Sequence, residues 1–467
     1  MFNKNKEKKS RNINPYALLF AVIIIAGLLS FVVSPGAYER VVVNGRTVID
    51  PTSYHAVSRS PVDFLDFFRA VPYGLIGSGS IVFLILIVGG VVEVLTQSGA
   101  LGMGISMLVK ATGKKKDSNA LIWIFMIFFS ILGGFLGWIE AAIPFVPIVI
   151  PIIISLGYDA MTAAAVVILG LFVSFAIGPT NMYTVGVSHE IAELKLFSGM
   201  GFRTVVFVIF VAVAMIYTVR YANKVKKNPE LSLTKDVDVS DLKMDFEELN
   251  KQEMTFAQKL SLITLAITFI FIVFGMMKLG WNINDMTAAF LAYGILLGII
   301  NKMGVDTIVN HMIQGMKNSI NGALIVGIAR GVQWILDAGG AVDPIIHTLS
   351  NAIQGWPPVA SAIGIFIIVS LLNGLVPSGS GKAMALMPLV IPLADLVGLT
   401  RQTAILAYQF GDGITNMTWF TYGTLLMLLS WSRVPLKKWY KFLMPLIVIL
   451  TIIALISLAV AVKISYV

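Results

Sequence analysis

The sequence predicts an all-α polytopic membrane protein made of two inverted repeats, each with a re-entrant hairpin and a broken transmembrane helix. Three observations carry this. First, 57% of the 467 residues are hydrophobic and 13% are charged, with a mean hydropathy of +0.86. A water-soluble globule this long needs more polar surface, and disorder needs more charge. Second, Lys and Arg cluster in short segments between long apolar runs. Third, the halves match at a fixed spacing of 241 residues, as between Pro147 and Pro388.

The net charge of +9 reads as topology, because Lys and Arg stay on the cytoplasmic side of a membrane. No basic face on a soluble domain suggests nucleic acid. The chain has no cysteine, hence no disulfide framework or thiolate metal site. Four scattered His residues without an HExxH motif offer no zinc site.

Residues 1–15 form a basic cytoplasmic N-terminus. The apolar run Tyr16–Val33 is too long for a signal-peptide core, and Ser34-Pro35-Gly36 is a poor cleavage site, so it is a retained span. It opens the first repeat, 16–222. Gly36–Asp66 is polar and lies outside. Pro72–Val94 returns inward, and Gly99–Val109 is an interfacial helix leading to a cytoplasmic loop at Lys110 and Lys114–Lys116. A hairpin at about 119–156 has its tip near Gly134–Ala141, where Gly133, Gly134, Gly137 and Glu140 are followed by Pro144, Pro147 and Pro151. Such irregular backbone is tolerated at membrane depth only inside protein or beside a cavity. A broken helix at about 160–195 is interrupted at Gly178-Pro179-Thr180-Asn181, since proline lacks the N–H that a helix needs. The span Thr204–Val219 closes the repeat.

Residues 223–259 form a cytoplasmic linker. An extra span, Leu260–Met277, inverts the second half, 260–467. Met286–Ile300 and a span near Gly315–Leu336 follow, then an outer loop at Asp337–Trp356. The second hairpin, about 358–397, carries Asn373-Gly374 and Pro377-Ser378-Gly379-Ser380-Gly381-Lys382. The second broken helix, about 400–431, is expected to break at Gly411–Asn416. Arg433, Lys437, Lys438 and Lys441 mark the cytoplasmic side, and Phe442–Val462 leaves the C-terminus outside. About nine full spans result, with the protein in the inner membrane of a prokaryote.

The offset of 241 pairs the whole Pro-x-Val-Ile-Pro motifs, Pro147–Pro151 with Pro388–Pro392. It also pairs Gly74 with Gly315, Gly90 with Gly331, Gly99 with Gly340, Gly133 with Gly374, Gly157 with Gly398, and Thr162-Ala163 with Thr403-Ala404. The breaks correspond with a slip of a few residues, Thr180-Asn181-Met182 against Thr415-Asn416-Met417. Inverted repeats with paired hairpins and breaks are the pattern of a secondary transporter with a mid-membrane site.

Pro377–Lys382, Met387–Pro392 and Phe410–Asn416, with Ser34–Tyr38 and the Gly178–Arg203 region, resemble the C4-dicarboxylate anaerobic carrier family, YfcC-type branch. The resemblance covers almost the whole chain. It implies a plan similar to divalent-anion/sodium symporters, a homodimer and an elevator-like transport domain. It also implies dicarboxylate cargo, or basic amino acids as in some relatives.

The candidate substrate site follows from local chemistry. The small residues Ser378, Gly379, Ser380 and Gly381, with Gly137 at the other tip, let a carboxylate reach helix N-terminal N–H groups, and Lys382 adds a positive charge. This stretch is not a Walker A loop, since 376 is Val and 383 is Ala. Thr180, Asn181, Thr415 and Asn416 offer oxygens at the breaks, for substrate, for Na⁺ together with Asp412, or as helix caps. Glu140 and Asp412 are the acidic members. They could pair with Lys382 or Arg330, hold a substrate ammonium, or carry protons. One lysine, two acids and two helix N-termini suit an amino acid, including a basic one, more than a simple dianion; a protonated or distant acid would restore the dicarboxylate. No cofactor is expected, and Na⁺ or H⁺ is the candidate coupling ion. Expected partners are the small-molecule cargo, membrane lipid and a second subunit.

His189, Glu190, Glu193 and Lys195 read as a solvated helix face. His311 and His347 read as lone interfacial residues, and the tryptophans as interface or packing residues. A channel would need a pore lined by rings of ligands. A membrane enzyme would need a nucleophile–base pair. Neither is apparent in the sequence.

Overall fold

The computed structural model describes residues 14–43, 46–111, 119–242, 253–353 and 355–467. Residues 1–13 of the basic N-terminus, the Lys114–Lys116 loop and residues 243–252 of the linker lie outside the described residues.

The helices follow the apolar runs. α1 is Pro15–Val32, started by Asn14, whose side chain accepts from the Tyr16 N–H, and by Pro15 in the first turn. The expected span from Pro72 is two helices, α2 (Asp66–Gly77) and α3 (Gly79–Gln97), which meet at Ser78. α4 is Ala100–Ala111. The first hairpin is α5 (Ala120–Ile131), a π-helical turn (Leu132–Leu136), a 3₁₀ turn (Glu140–Phe145) and α6 (Val146–Ser155). α7 (Ala160–Phe175), a π-helical turn (Met182–Gly186) and α8 (Val187–Ile191) form the first broken helix. Then come α9 (Met200–Lys227), α10 (Phe256–Lys278), α11 (Ile283–Ile300) and α12 (Val305–Ala338). α13 is Val342–Asn351. The second hairpin is α14 (Pro358–Leu372) and α15 (Gly379–Leu396). α16 (Arg401–Thr415), α17 (Gly423–Trp431) and α18 (Leu436–Lys463) complete the chain. Among the described residues seven helices, α1, α3, α9, α10, α11, α12 and α18, are long and apolar enough to cross a membrane.

Two further features depart from expectation. The segment after α1 is not merely polar. It forms two antiparallel pairs, β1 (Gly36–Ala37) with β4 (His55–Ala56) and β2 (Arg40–Val43) with β3 (Arg46–Ile49). This β flap is fastened to α13: Arg40 spans Asp343 with bonds of 2.5 and 2.8 Å, and Tyr54 stacks on His347 at 3.7 Å. His347 is therefore not a lone residue. Burial, with Tyr54 and Asp343 alongside, pushes the Tyr38 phenol up to about 12, so it stays neutral within this cluster. The second departure is the second break. α16 runs unbroken through Gly411, Asp412 and Gly413 to Thr415, and the irregular stretch is 416–422. Each glycine keeps its N–H, so the helix continues. Thr415 also returns its hydroxyl to the Gly411 carbonyl at 2.6 Å.

Contacts divide the molecule into two faces. On the flap side, Tyr466 joins Thr400 and Gly199, and β3 leans on α15. On the opposite side the linker docks on Asp159, the N-cap of α7, through Ser232 and Thr234, and Tyr221 of α9 joins them, all at 2.6–3.0 Å. Asp241 and Asp236 of the linker also meet Arg433 and Lys438. Tyr158, just after α6, bonds Asn119, just before α5, so the first hairpin has its base on the linker side. The base of the second, beside β3, lies on the flap side.

Between them α2 and α3 cross α12 on bare backbone. A Cβ on Gly89 would lie 2.8 Å from the Gly315 carbonyl oxygen, and one on Gly74 would lie 2.5 Å from the Gly331 nitrogen. Only glycine permits such an approach.

Candidate functional site

The tips of both hairpins and both breaks pack together around the buried side chains of Asn181, Asn373, Lys382 and Asp412. Ser378 caps α15, its hydroxyl accepting from the Gly381 N–H at 3.2 Å. The amides of Gly379 and Ser380 have no partner among the described residues, and the Gly379 carbonyl accepts from the Tyr408 hydroxyl. Gly379 lies against the other break: a Cβ there would be 3.2 Å from Thr184 and 3.3 Å from Asp412 Oδ2.

Lys382 turns inward from the first turn of α15. Its Nζ lies 2.7 Å from Asp412 Oδ1, and the two side chains are 3% and 1% exposed. Nζ also donates to Asn373 Oδ1. Of the alternatives open in the sequence, Lys382 thus pairs with Asp412. Asn373, absent from the candidate set read in the sequence, is the hub: its Nδ2 reaches the Asp412 carbonyl, Thr415 Oγ1 and Asn416 Oδ1 at 2.8–2.9 Å. Its position just ahead of Gly374, at the end of an apolar run, was the available signal.

The first tip is built differently. Gly137 takes φ +68°, and a side chain there would strike Asn181 Oδ1 at 2.6 Å. Asn181 caps the break, accepting from the N–H groups of Tyr183 and Thr184. Thr180 donates to the Phe135 carbonyl at 2.7 Å. Gln409 of α16 donates to the Gly178 carbonyl at 2.8 Å and so joins the second broken helix to the first break.

Glu140 accepts from the Tyr422 hydroxyl at 3.0 Å and the Thr424 hydroxyl at 3.3 Å, both on the far side of the second break. It forms no ion pair among the described residues, and Asp412 lies within electrostatic range. Two further acceptors, Thr184 Oγ1 and Asp412 Oδ2, are buried without a hydrogen-bond partner among the described residues.

His189 departs from the expected solvated face. It is fully buried, accepts from the Phe197 N–H at Nδ1 and meets Gln402 Oε1 at 3.2 Å, beside a fully buried Arg203. No group of three His, Asp or Glu residues able to hold a metal occurs among the described residues.

Residues 14–463 match the sequence profile of the C4-dicarboxylate anaerobic carrier. The chain belongs to that family. The carrier is therefore a multi-pass membrane transport protein. It is 31% identical to the putative basic amino acid antiporter YfcC of Escherichia coli K12, over 91% of each chain. It is 27% identical to an uncharacterized protein of Haemophilus influenzae, over 98% of this chain and 99% of the other. Among solved structures, the carrier is similar to MtrF of Neisseria gonorrhoeae, described within a class of antimetabolite efflux pumps, at 14% identity and a TM-score of 0.44 over 97% and 96% of the two chains. It is also similar to the YdaH transporter of Alcanivorax borkumensis, at 14% identity and a TM-score of 0.41 over 97% and 99%.

Proposed function

We propose that this carrier exchanges a basic amino acid across the cytoplasmic membrane by an elevator-like alternating-access movement, as one subunit of a homodimer. The observation that carries the reading is the charge balance at the centre. Lys382 and Asp412 neutralise each other, and Glu140 pairs with no cation among the described residues. The centre therefore offers the Glu140 carboxylate, and the start of α15 offers amides that have no partner among the described residues. Arginine or ornithine brings one carboxylate and an excess positive charge, and it suits both. A dicarboxylate would meet Glu140 as a like charge. The name of the Escherichia coli relative, a putative basic amino acid antiporter, agrees with this choice.

Several features support the inverted-repeat plan. The hairpin bases lie on opposite faces. α14 has 15 residues, about 22 Å, short of the ~30 Å hydrocarbon core, as a re-entrant leg requires. Gly74 contacts Gly331, while Gly315, its partner at the offset of 241, contacts Gly89 beside Gly90. Counting each broken helix as one crossing gives nine spans among the described residues. The linker side is cytoplasmic on this reading, since Lys224, Lys226, Lys227, Lys437 and Lys438 lie there.

The test is counterflow in proteoliposomes loaded with arginine. External arginine or ornithine should be taken up, and succinate should neither enter nor compete. Uptake of succinate with no response to arginine would return the cargo to the dicarboxylates.

A further inference from the structure

Lysine in the first turn of a helix is electrostatically misplaced, because that end of the helix is positive. Lys382 relieves this by sending its ammonium to three sources of negative charge. Asp412 Oδ1 is one. The others are the C-terminal ends of α14, capped by Asn373, and of α16, whose last turn carries Asp412. Each such end is equivalent to roughly half a negative charge. The side-chain atoms that receive the ammonium, Asp412 Oδ1 and Asn373 Oδ1, are oxygens. Carboxylate and amide oxygens at the ends of broken helices are the donors that a sodium ion uses in a coupled carrier.

We propose that Lys382 is a tethered stand-in for a coupling cation: its ammonium holds the seat that a dissolved Na⁺ would otherwise fill, so the carrier runs without Na⁺. The seat is dry, with Lys382 and Asp412 almost fully buried, and a bare carboxylate there would be costly. A dissolved ion must be captured anew in each cycle. A tethered ammonium travels with the hairpin and keeps Asp412 neutralised throughout. The inference rests on this cluster being the centre of the carrier, and not on which cargo is carried.

Thermal unfolding of the purified protein tests it without any cargo. The wild type should melt at the same temperature in sodium chloride and in choline chloride of equal ionic strength. Lys382→Ala, and Lys382→Met as the variant that keeps an apolar stem, should each melt several degrees higher in sodium than in choline. Ethylammonium should stabilise Lys382→Ala in the same way. The double variant Lys382→Met/Asp412→Asn, with no charge left to seat, should be indifferent to both cations. A specific sodium response in the wild type would overturn the proposal. So would single variants that respond to neither cation, or that cannot be recovered folded even from sodium buffers. Failure of arginine counterflow would leave these outcomes untouched, so the two readings fail separately.

Discussion

Gly413 and Ala176 meet where the two broken helices abut: a methyl group on Gly413 would lie 2.1 Å from the Ala176 Cα. The end of α7 and the last turn of α16 are thus pressed together at backbone distance, which brings the chemistry of both halves to one place. Gly413→Ala should destabilise the protein by about 1–3 kcal/mol, the usual cost of overpacking. Melting at the wild-type temperature would show that the helices part without strain.

Glu140→Gln addresses cargo charge. The amide oxygen can still accept from Tyr422 and Thr424, so the fold should survive. Arginine affinity should fall about tenfold or more, because a cationic group would lose its counter-charge on leaving water. Calorimetric titration reads this directly, and unchanged affinity would remove Glu140 from the cargo site.

The native chain has no cysteine, which makes it suited to labelling. Val42→Cys in the flap and Glu230→Cys in the linker, both exposed, should react with an impermeant maleimide from opposite sides of oriented membranes. Reaction from the same side would sink the assignment of the two faces.

Arg40→Ala should loosen the flap. The Arg40–Asp343 pair is half open to water on the arginine side, so the cost is about 1 kcal/mol. Hydrogen exchange should speed up at the β2–β3 amides while α3 and α12 stay protected. Unchanged exchange in the flap would mean that Tyr38 and Tyr54 hold it alone.

Much of this was legible in the sequence because the membrane imposes long apolar runs, and because Pro179 announces a break by removing a donor. The second break was misread for a physical reason. Gly411 and Gly413 look like helix breakers, yet their function is close approach, to the Phe366 carbonyl and to Ala176. The flap escaped notice because its strands are two to four residues long and one exposed face gives no clear alternation. The Lys382–Asp412 pair was only one possibility among several, since 30 residues and a helix reversal separate the two. Asn373 was passed over because an amide beside a glycine looks like a turn residue. His189 was misassigned because i,i+3 spacing describes a face without saying which way it points; Gln402 and Arg203 decide that from elsewhere in the chain.

The glycine crossings of α2 and α3 on α12 bear on engineering. Replacing helical glycines by alanine commonly adds about 0.4–1 kcal/mol by restricting the unfolded chain. At Gly74, Gly89, Gly315 and Gly331 the same replacement drives a methyl into the facing helix. Gly79 and Gly201, where an added Cβ meets nothing within 4 Å, are where a more durable version of this protein should be sought.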